Sequence, residues 1–233
     1  MSGSDLITYR RVESVAVITL DDGKVNALGP AMQQAINGAL DEADGDDVGA
    51  VVIAGNERVF SGGFDLKVMN AGQTQPVIDM LRGGFELTYR LLSYSRPVVM
   101  ACTGHAIAMG ALLLCSGDHR VAAPAYNIAL NEVAIGMTMP YAALAIAQLR
   151  LTPSAYQQAV GLAKGFFGES AVAGGWVDEV VLPDAVLDRA VQAAGEFAGL
   201  HRPAHVASKL RARAAALTAL RAGIDGMAAE FSG

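Results

Sequence analysis

Glu132 is the only charged residue among the fifteen that separate Pro124 from Pro140, a stretch that includes "IALNEVAIGM". A carboxylate in so apolar a setting is paired, exposed at an edge, or chemically at work, because an isolated charge is costly to bury. Desolvation moves such a carboxyl toward the pKa range useful to a general base. One positioned base contributes about 10²–10⁴ in rate.

Two other stretches offer hydrogen-bond donors. In "VFSGGFDLKVM", residues 59–69, a strand pattern ends and two glycines permit a turn closed to residues with a Cβ. A short helix is expected to start near Asp65. Such a corner points main-chain N–H groups outward, notably that of Phe64; the plainer reading is a turn with Asp65 as N-cap. In "GHAIAMGALLLC", residues 104–115, a second strand-to-helix corner falls near Met109 and Gly110. Two corners on neighbouring strands could hold one oxygen between them, each donor worth roughly 10²–10³ in rate. Simple packing of two turns is the alternative.

The elements that must position these groups follow from periodicity. "ITYRRVESVAVITLDD" alternates about Glu13 and Ser14 and predicts a hairpin. "GPAMQQAINGALDEADGD" has helical spacing with Pro30 in its first turn. "GAVVIAG" and "RPVVMAC" are short apolar strands, a helix is predicted from about Val77 to Ser93, and "MGALLLC" is a buried helix. "HRVAAP" and "YNIAL" complete the strands, and from Pro140 onward only "VDEVV" breaks a helical pattern. The chain therefore reads as α/β, strands and helices alternating first and helices last.

Composition narrows the partners. The 233 residues are 52% hydrophobic with a net charge of −6, which argues against nucleic acid but leaves room for a small anionic ligand held by local donors. Cys102 and Cys115 lack metal or redox spacing and read as buried thiols in a reducing compartment. Pro97 to Gly117 contains no Asp, Glu, Lys or Arg, yet His105, Thr103 and its glycines favour strand, turn and helix over a membrane span. "MSGSDLITYR" has no apolar leader core, so a cytoplasmic location is expected.

"FSGGFDL", "GHAIAMGALLLCSGD", "ALNEVAIGM" and "AGGWVDEVV" stand in the order and at the spacings of the crotonase (enoyl-CoA hydratase/isomerase) superfamily, which the chain resembles from about residue 7 to residue 182. "KVNAL" resembles the family's loop beside the coenzyme. The resemblance implies a spiral of ββα units over residues 1–182, with C-terminal helices at 183–233 that assemble subunits and cover the site. It implies an acyl-CoA thioester as substrate, no separate cofactor or metal, and assembly as a trimer or pair of trimers. Lys24, Val25, Ala27, Gly62, Asp65 and Leu66 would line the coenzyme, and the N–H groups of Phe64 and Met109 would hold the thioester oxygen.

Hydratases of this family hold water between two glutamates. The second falls at Glu132, while the first falls at Leu112, a pocket residue that can neither anchor water nor carry a proton. Water with one anchor is misplaced, which costs about 10²-fold or more. "LNE" followed by "GMTMP" resembles the family's Δ3,Δ2-enoyl-CoA isomerases, which also place leucine there. An isomerase needs one base, and Glu132 fits it. A hydratase with an altered dyad and a non-catalytic acyl-CoA binder are the alternatives.

Other groups have plainer readings. His105 is expected to be a packed, hydrogen-bonded turn residue, Glu86 a solvated helix residue, and Trp176 part of the core. Lys24 and Lys67 could meet phosphates or simply be solvated. The basic stretch "HRPAHVASKLRARAAALTALR" could attract the coenzyme's phosphates or form a basic helix face.

Overall fold

Alternating apolar residues build the first hairpin. Ile7–Val12 (β1) and Val15–Leu20 (β2) pair antiparallel about a turn in which Glu13 takes φ 51°. The computed structural model describes residues 6–231, so residues 1–5, half of the segment read for a leader, lie outside the described residues, as do 232–233. Helix α1 (Pro30–Gly45) begins on Pro30, whose fixed φ and missing N–H suit a first turn, and buries Met32, Ile36, Ala39, Leu40 and Ala43.

The chain continues through β3 (Ala50–Ala54), β4 (Val59–Ser61), the single turn α2 (Leu66–Met69) and α3 (Thr74–Ser93). Then come β5 (Val98–Cys102), β6 (His105–Ile107), α4 (Met109–Cys115), β7 (His119–Ala122) and β8 (Ile128–Ala129). After a 3-10 turn at Val133–Ile135 follow α5 (Tyr141–Arg150), α6 (Pro153–Leu162), α7 (Gly168–Gly174) and β9 (Glu179–Val180). Last are α8 (Val186–Ala198), α9 (Arg202–Ala212) and α10 (Ala214–Glu230).

Two boundaries differ from expectation. Helix α3 starts at Thr74 instead of Val77, because Pro76 falls in the first turn, where its missing N–H has no helical acceptor to lose. The charge-free run from Pro97 to Gly117 holds an additional strand, β6, between the expected strand and helix. Among the described residues, no helix is long and apolar enough to cross a membrane.

One sheet has the order β1-β2-β3-β5-β7-β9 and is parallel from β2 onward; the other, β4-β6-β8, is wholly parallel. The pairs β3/β4, β5/β6 and β7/β8 each give their first strand to the large sheet and their second to the small one. That repetition is the expected ββα spiral. Strand periodicity divides the core. Ala16, Ile18 and Leu20 face the main cluster with α1, α3, α4, α5 and α10. Val15 and Val17 face a second cluster, closed by Val186, Ala190 and Ala194 of α8.

Three of the C-terminal cations are spent inside the chain. Lys209 Nζ and Arg213 Nη2 each lie 2.7 Å from an oxygen of Asp118, and the Asp118 carboxylate also accepts the Val98 N–H at 2.8 Å. Burial pulls the Lys209 ammonium down to about 8 despite that partner. Arg221 pairs with Glu86 at 2.9 Å and lies 4.2 Å over the Tyr89 ring. Three of the five basic residues in this stretch, read either as phosphate attractors or as a basic helix face, thus hold helices to the core. Glu86, read as solvated, is an ion-pair partner.

Candidate active site

The small sheet delivers three chain segments to one edge. Strand β6 lies between β4 and β8, all parallel, so the residues that follow each strand emerge side by side. They are Gly62-Gly63-Phe64 after β4, Ala108-Met109 after β6, and Asn131-Glu132 after β8.

The first two corners touch. Gly63 has φ 95°, and a Cβ built there would lie 3.0 Å from Ile107 O and 3.3 Å from Met109 N. Gly62, by contrast, has no left-handed φ, so only Gly63 needs glycine's conformational freedom. Ala108 takes φ 52° and ψ −124°, a conformation L-residues rarely adopt, and its N–H donates to Ala129 O at 2.8 Å. This bend starts α4 with the Met109 N–H free. Neither the Phe64 nor the Met109 N–H has an acceptor among the described residues.

The side chains at these positions pack on α3. A Cβ on Gly84 would lie 2.5 Å from the Phe64 ring and 3.4 Å from Met109 Cε. Phe64 also meets Phe85 edge to face at 6.1 Å. Leu112 sits one turn into α4 at 1% exposure, inside the main core.

Glu132 stands at the head of the 3-10 turn, its carbonyl accepting from Ile135 N at 3.1 Å and Met137 N at 2.9 Å. These bonds hold the main chain and leave the side chain to its surroundings. Its Oε2 is buried with no hydrogen-bond partner. Burial raises the carboxyl above the usual carboxylate range, only partly offset by the residue's own N–H. Of the three readings for a lone carboxylate, pairing is therefore absent among the described residues.

Beside β4, the segment after β2 closes over the first corner. Asp22 accepts from the N–H groups of Lys24 at 2.7 Å, Asn26 at 2.9 Å and Ala27 at 3.1 Å. Burial acts to raise the Asp22 carboxyl, but these donors outweigh it and hold it below its ordinary value. The Gly62 N–H donates to Val25 O, and the Leu28 N–H to Gly63 O, both at 2.8 Å. Lys24 and Lys67 are exposed, Ala27 is half-buried, and Val25 and Leu66 present apolar side chains that are 53% and 65% exposed. Asp65 caps α2 by accepting from Lys67 N at 2.8 Å, as its plainer reading held.

The profile of the enoyl-CoA hydratase/isomerase family matches residues 10–231. The chain belongs to that family. A Mycobacterium tuberculosis protein of known structure, described as an enoyl-CoA isomerase, is 72% identical over 97% of this chain and 99% of its own, with a TM-score of 0.95. A second structure of that protein, described as a probable enoyl-CoA hydratase, matches with a TM-score of 0.96 over 97% of this chain and 96% of its own, again at 72% identity. A probable enoyl-CoA hydratase of Mycobacterium avium is 28% identical over 92% of this chain and 79% of its own length. The human mitochondrial Δ3,Δ2-enoyl-CoA isomerase shares the fold, with a TM-score of 0.90 at 24% identity over 97% of this chain and 92% of its own.

Two residues that shape this enzyme-family site escaped the sequence reading. Asn26, fully buried with φ 51°, donates from Nδ2 to the carbonyls of Leu20, Val59 and Phe60 at 3.0, 3.2 and 3.2 Å. Ser61 Oγ donates to Asn26 O at 2.8 Å and accepts from the Gly63 N–H at 3.2 Å. The available signal was the asparagine inside "KVNAL", a residue type that tolerates positive φ. His105 accepts from the Asn127 N–H through Nδ1 at 2.9 Å, the hydrogen bond expected of it, but it is exposed at the start of β6 and not packed in a turn; Trp176 is fully buried against Phe166, as expected. Cys102 and Cys115 are buried free thiols. Among the described residues, no group of three His, Cys, Asp or Glu side chains could hold a metal.

Proposed function

We propose that this protein is an acyl-CoA isomerase that moves a 3-enoyl-CoA double bond to the 2-position with Glu132 as its single base. The observation that carries the reading is the half-buried Glu132, whose Oε2 is buried without a partner at the strand-end edge where two free N–H groups also emerge. The position one turn into α4 holds Leu112 and no second carboxylate.

In this mechanism the thioester oxygen sits between the N–H groups of Phe64 and Met109. Glu132 takes a proton from C2, which lies between the thioester and the alkene and is therefore acidic. The electron pair spreads over a dienolate, whose oxygen the two donors stabilise. The protonated Glu132 then returns the proton at C4, and the double bond closes between C2 and C3. No water and no second acid enter. Lys24, Val25, Ala27, Gly62, Asp65 and Leu66 border the coenzyme in this reading, the exposed Val25 and Leu66 offering apolar surface to its adenine. The coenzyme arrives as part of the substrate, the chain works as a trimer or pair of trimers, and residues 183–233 cover the site.

Purified protein given trans-3-hexenoyl-CoA is expected to form the conjugated 2-enoyl thioester, while crotonyl-CoA is hydrated at least about 10²-fold less efficiently because its water has one anchor. Efficient hydration with little isomerisation would overturn the reading in favour of a hydratase. Thioester binding with neither activity would overturn it in favour of a binding protein.

A further inference from the structure

We infer that Asn26 and Ser61 are positioning residues for the reaction: their hydrogen bonds fix the plane of the Gly63–Phe64 peptide and so aim the Phe64 N–H at the thioester oxygen. This rests on reading that N–H as one of two oxyanion donors and adds the side chains that hold it.

A donor stabilises developing charge best when its direction is set before the reaction. The Phe64 N–H follows Gly63, the residue type with the most backbone freedom, held here at φ 95°. Groups outside the corner must therefore fix the peptide. The sheet ladder does not: β4 pairs with β6 at Val59 and Ser61, but the register shifts between them. Such an irregularity interrupts the ladder and leaves main-chain groups to find other partners.

Asn26 and Ser61 supply those partners. Across the irregularity, Asn26 Nδ2 donates to Val59 O and Phe60 O, both at 3.2 Å, while its Oδ1 accepts the Asp22 N–H at 3.0 Å. Asn26 O then accepts the Ser61 hydroxyl at 2.8 Å. That bond commits the hydroxyl's one proton and leaves its lone pairs for the Gly63 N–H, at 3.2 Å. One peptide further on, Gly63 O accepts the Leu28 N–H at 2.8 Å. In a trans peptide the C=O and N–H point in opposite directions, so this bond turns the Phe64 N–H away from the segment that holds Asn26. Both peptide groups of Gly63 are held, and the Phe64 N–H is left for a ligand.

Ser61 also meets the second corner. A Cβ on Gly110 would lie 2.8 Å from Ser61 Cβ, so α4, whose first residue is Met109, packs directly on it. Asn26 and Ser61 are both fully buried, so removing the hydroxyl strands the Gly63 N–H and Asn26 O inside the corner. A merely structural hydrogen bond would change stability without changing how a bound thioester is polarised.

Ser61→Ala and Asn26→Ala are made in the full-length protein. Tyr94→Phe, which loses a buried hydrogen bond to Leu40 O away from both corners, is the control for stability. Should Asn26→Ala fail to fold, Ser61→Ala, which removes a single oxygen atom, still carries the test. For each, kcat is measured with trans-3-hexenoyl-CoA, affinity for hexanoyl-CoA by calorimetry, and stability by urea unfolding. The infrared stretch of bound hexanoyl-CoA, isotope-labelled at its thioester carbonyl, reads the polarisation. Wild-type protein is expected to lower that stretch below its value in the free thioester. In the variants the stretch is expected to return toward the free value and kcat to fall at least about tenfold, short of the roughly 10²–10³ that one whole donor contributes, with affinity changed less than about threefold. Tyr94→Phe is expected to lower stability alone. Wild-type kcat and stretch in the variants overturn the positioning role. So does a loss of stability and affinity with the stretch unmoved. Wild-type protein that shifts the stretch but turns over no 3-enoyl substrate ends the isomerase reading, while the positioning role stands or falls on the variants' stretch. Wild-type protein that binds the thioester without a shift overturns the oxyanion reading and the positioning role together.

Discussion

Glu132 is a carboxylate whose surroundings work against its charge. Its pKa is raised by burial above the ordinary 4.5, so the folded state holds the proton more tightly than the unfolded chain does. The stability linked to that proton is fully present below 4.5 and is lost as pH rises through the folded value. Glu132→Gln, which never ionises, is therefore expected to melt higher than wild type near neutrality and to lose that advantage toward pH 4.5. Thermal unfolding across that pH range checks the sign. The same shift predicts an acid limb in kcat/KM for isomerisation, with an apparent pKa above 4.5. A limb at or below the ordinary carboxylate value would mean that another group sets the rate.

The corners depend on elements far apart in the chain. Gly63 combines φ 95° with a close approach to Ile107 O and Met109 N, so Gly63→Ala must strain the turn and push the two corners apart. The expected cost is about 1–3 kcal/mol in stability and about 10²-fold in kcat/KM, read by urea unfolding and isomerase kinetics. Asn26→Ala leaves the buried carbonyls of Leu20, Val59 and Phe60 without their donor. It should cost roughly 2–3 kcal/mol by the same unfolding measurement. Both corners were legible because glycine and a change of periodicity mark where a strand stops. Their convergence was not, because it depends on β4 pairing with β6 across the whole of α3. Asn26 was hidden for the same reason, since two of its partners lie 33 and 34 residues away.

At the scale of the molecule, the C-terminal helices are joined to the core by charges of very different worth. Lys209 and Arg213 share Asp118, with side-chain exposures of only 3%, 10% and 15%. Asp118→Asn would strand two buried cations and is expected to destabilise by about 3–5 kcal/mol in chemical denaturation. The Arg221–Glu86 pair is 38% and 42% exposed, so Arg221→Ala should cost no more than about 1 kcal/mol, and less in high salt. The sequence displayed these cations as a basic stretch, suited either to phosphates or to a solvated helix face. Their true partners, 91 and 135 residues away for Lys209 and Arg221, could be known only from the fold. The alternation of strands and helices was legible because its periodicity is local, whereas the spiral was expected only from the family resemblance, since the pairing of β4, β6 and β8 joins distant segments.

The most direct test of the one-base account is the isomerisation of trans-3-hexenoyl-CoA by Glu132→Gln, with hexanoyl-CoA affinity measured alongside. The account predicts a fall in kcat of about 10²–10⁴ with affinity nearly unchanged, because the glutamine keeps the shape and loses the base. Isomerisation at the wild-type rate in that variant would contradict it and move the proton transfer to another residue.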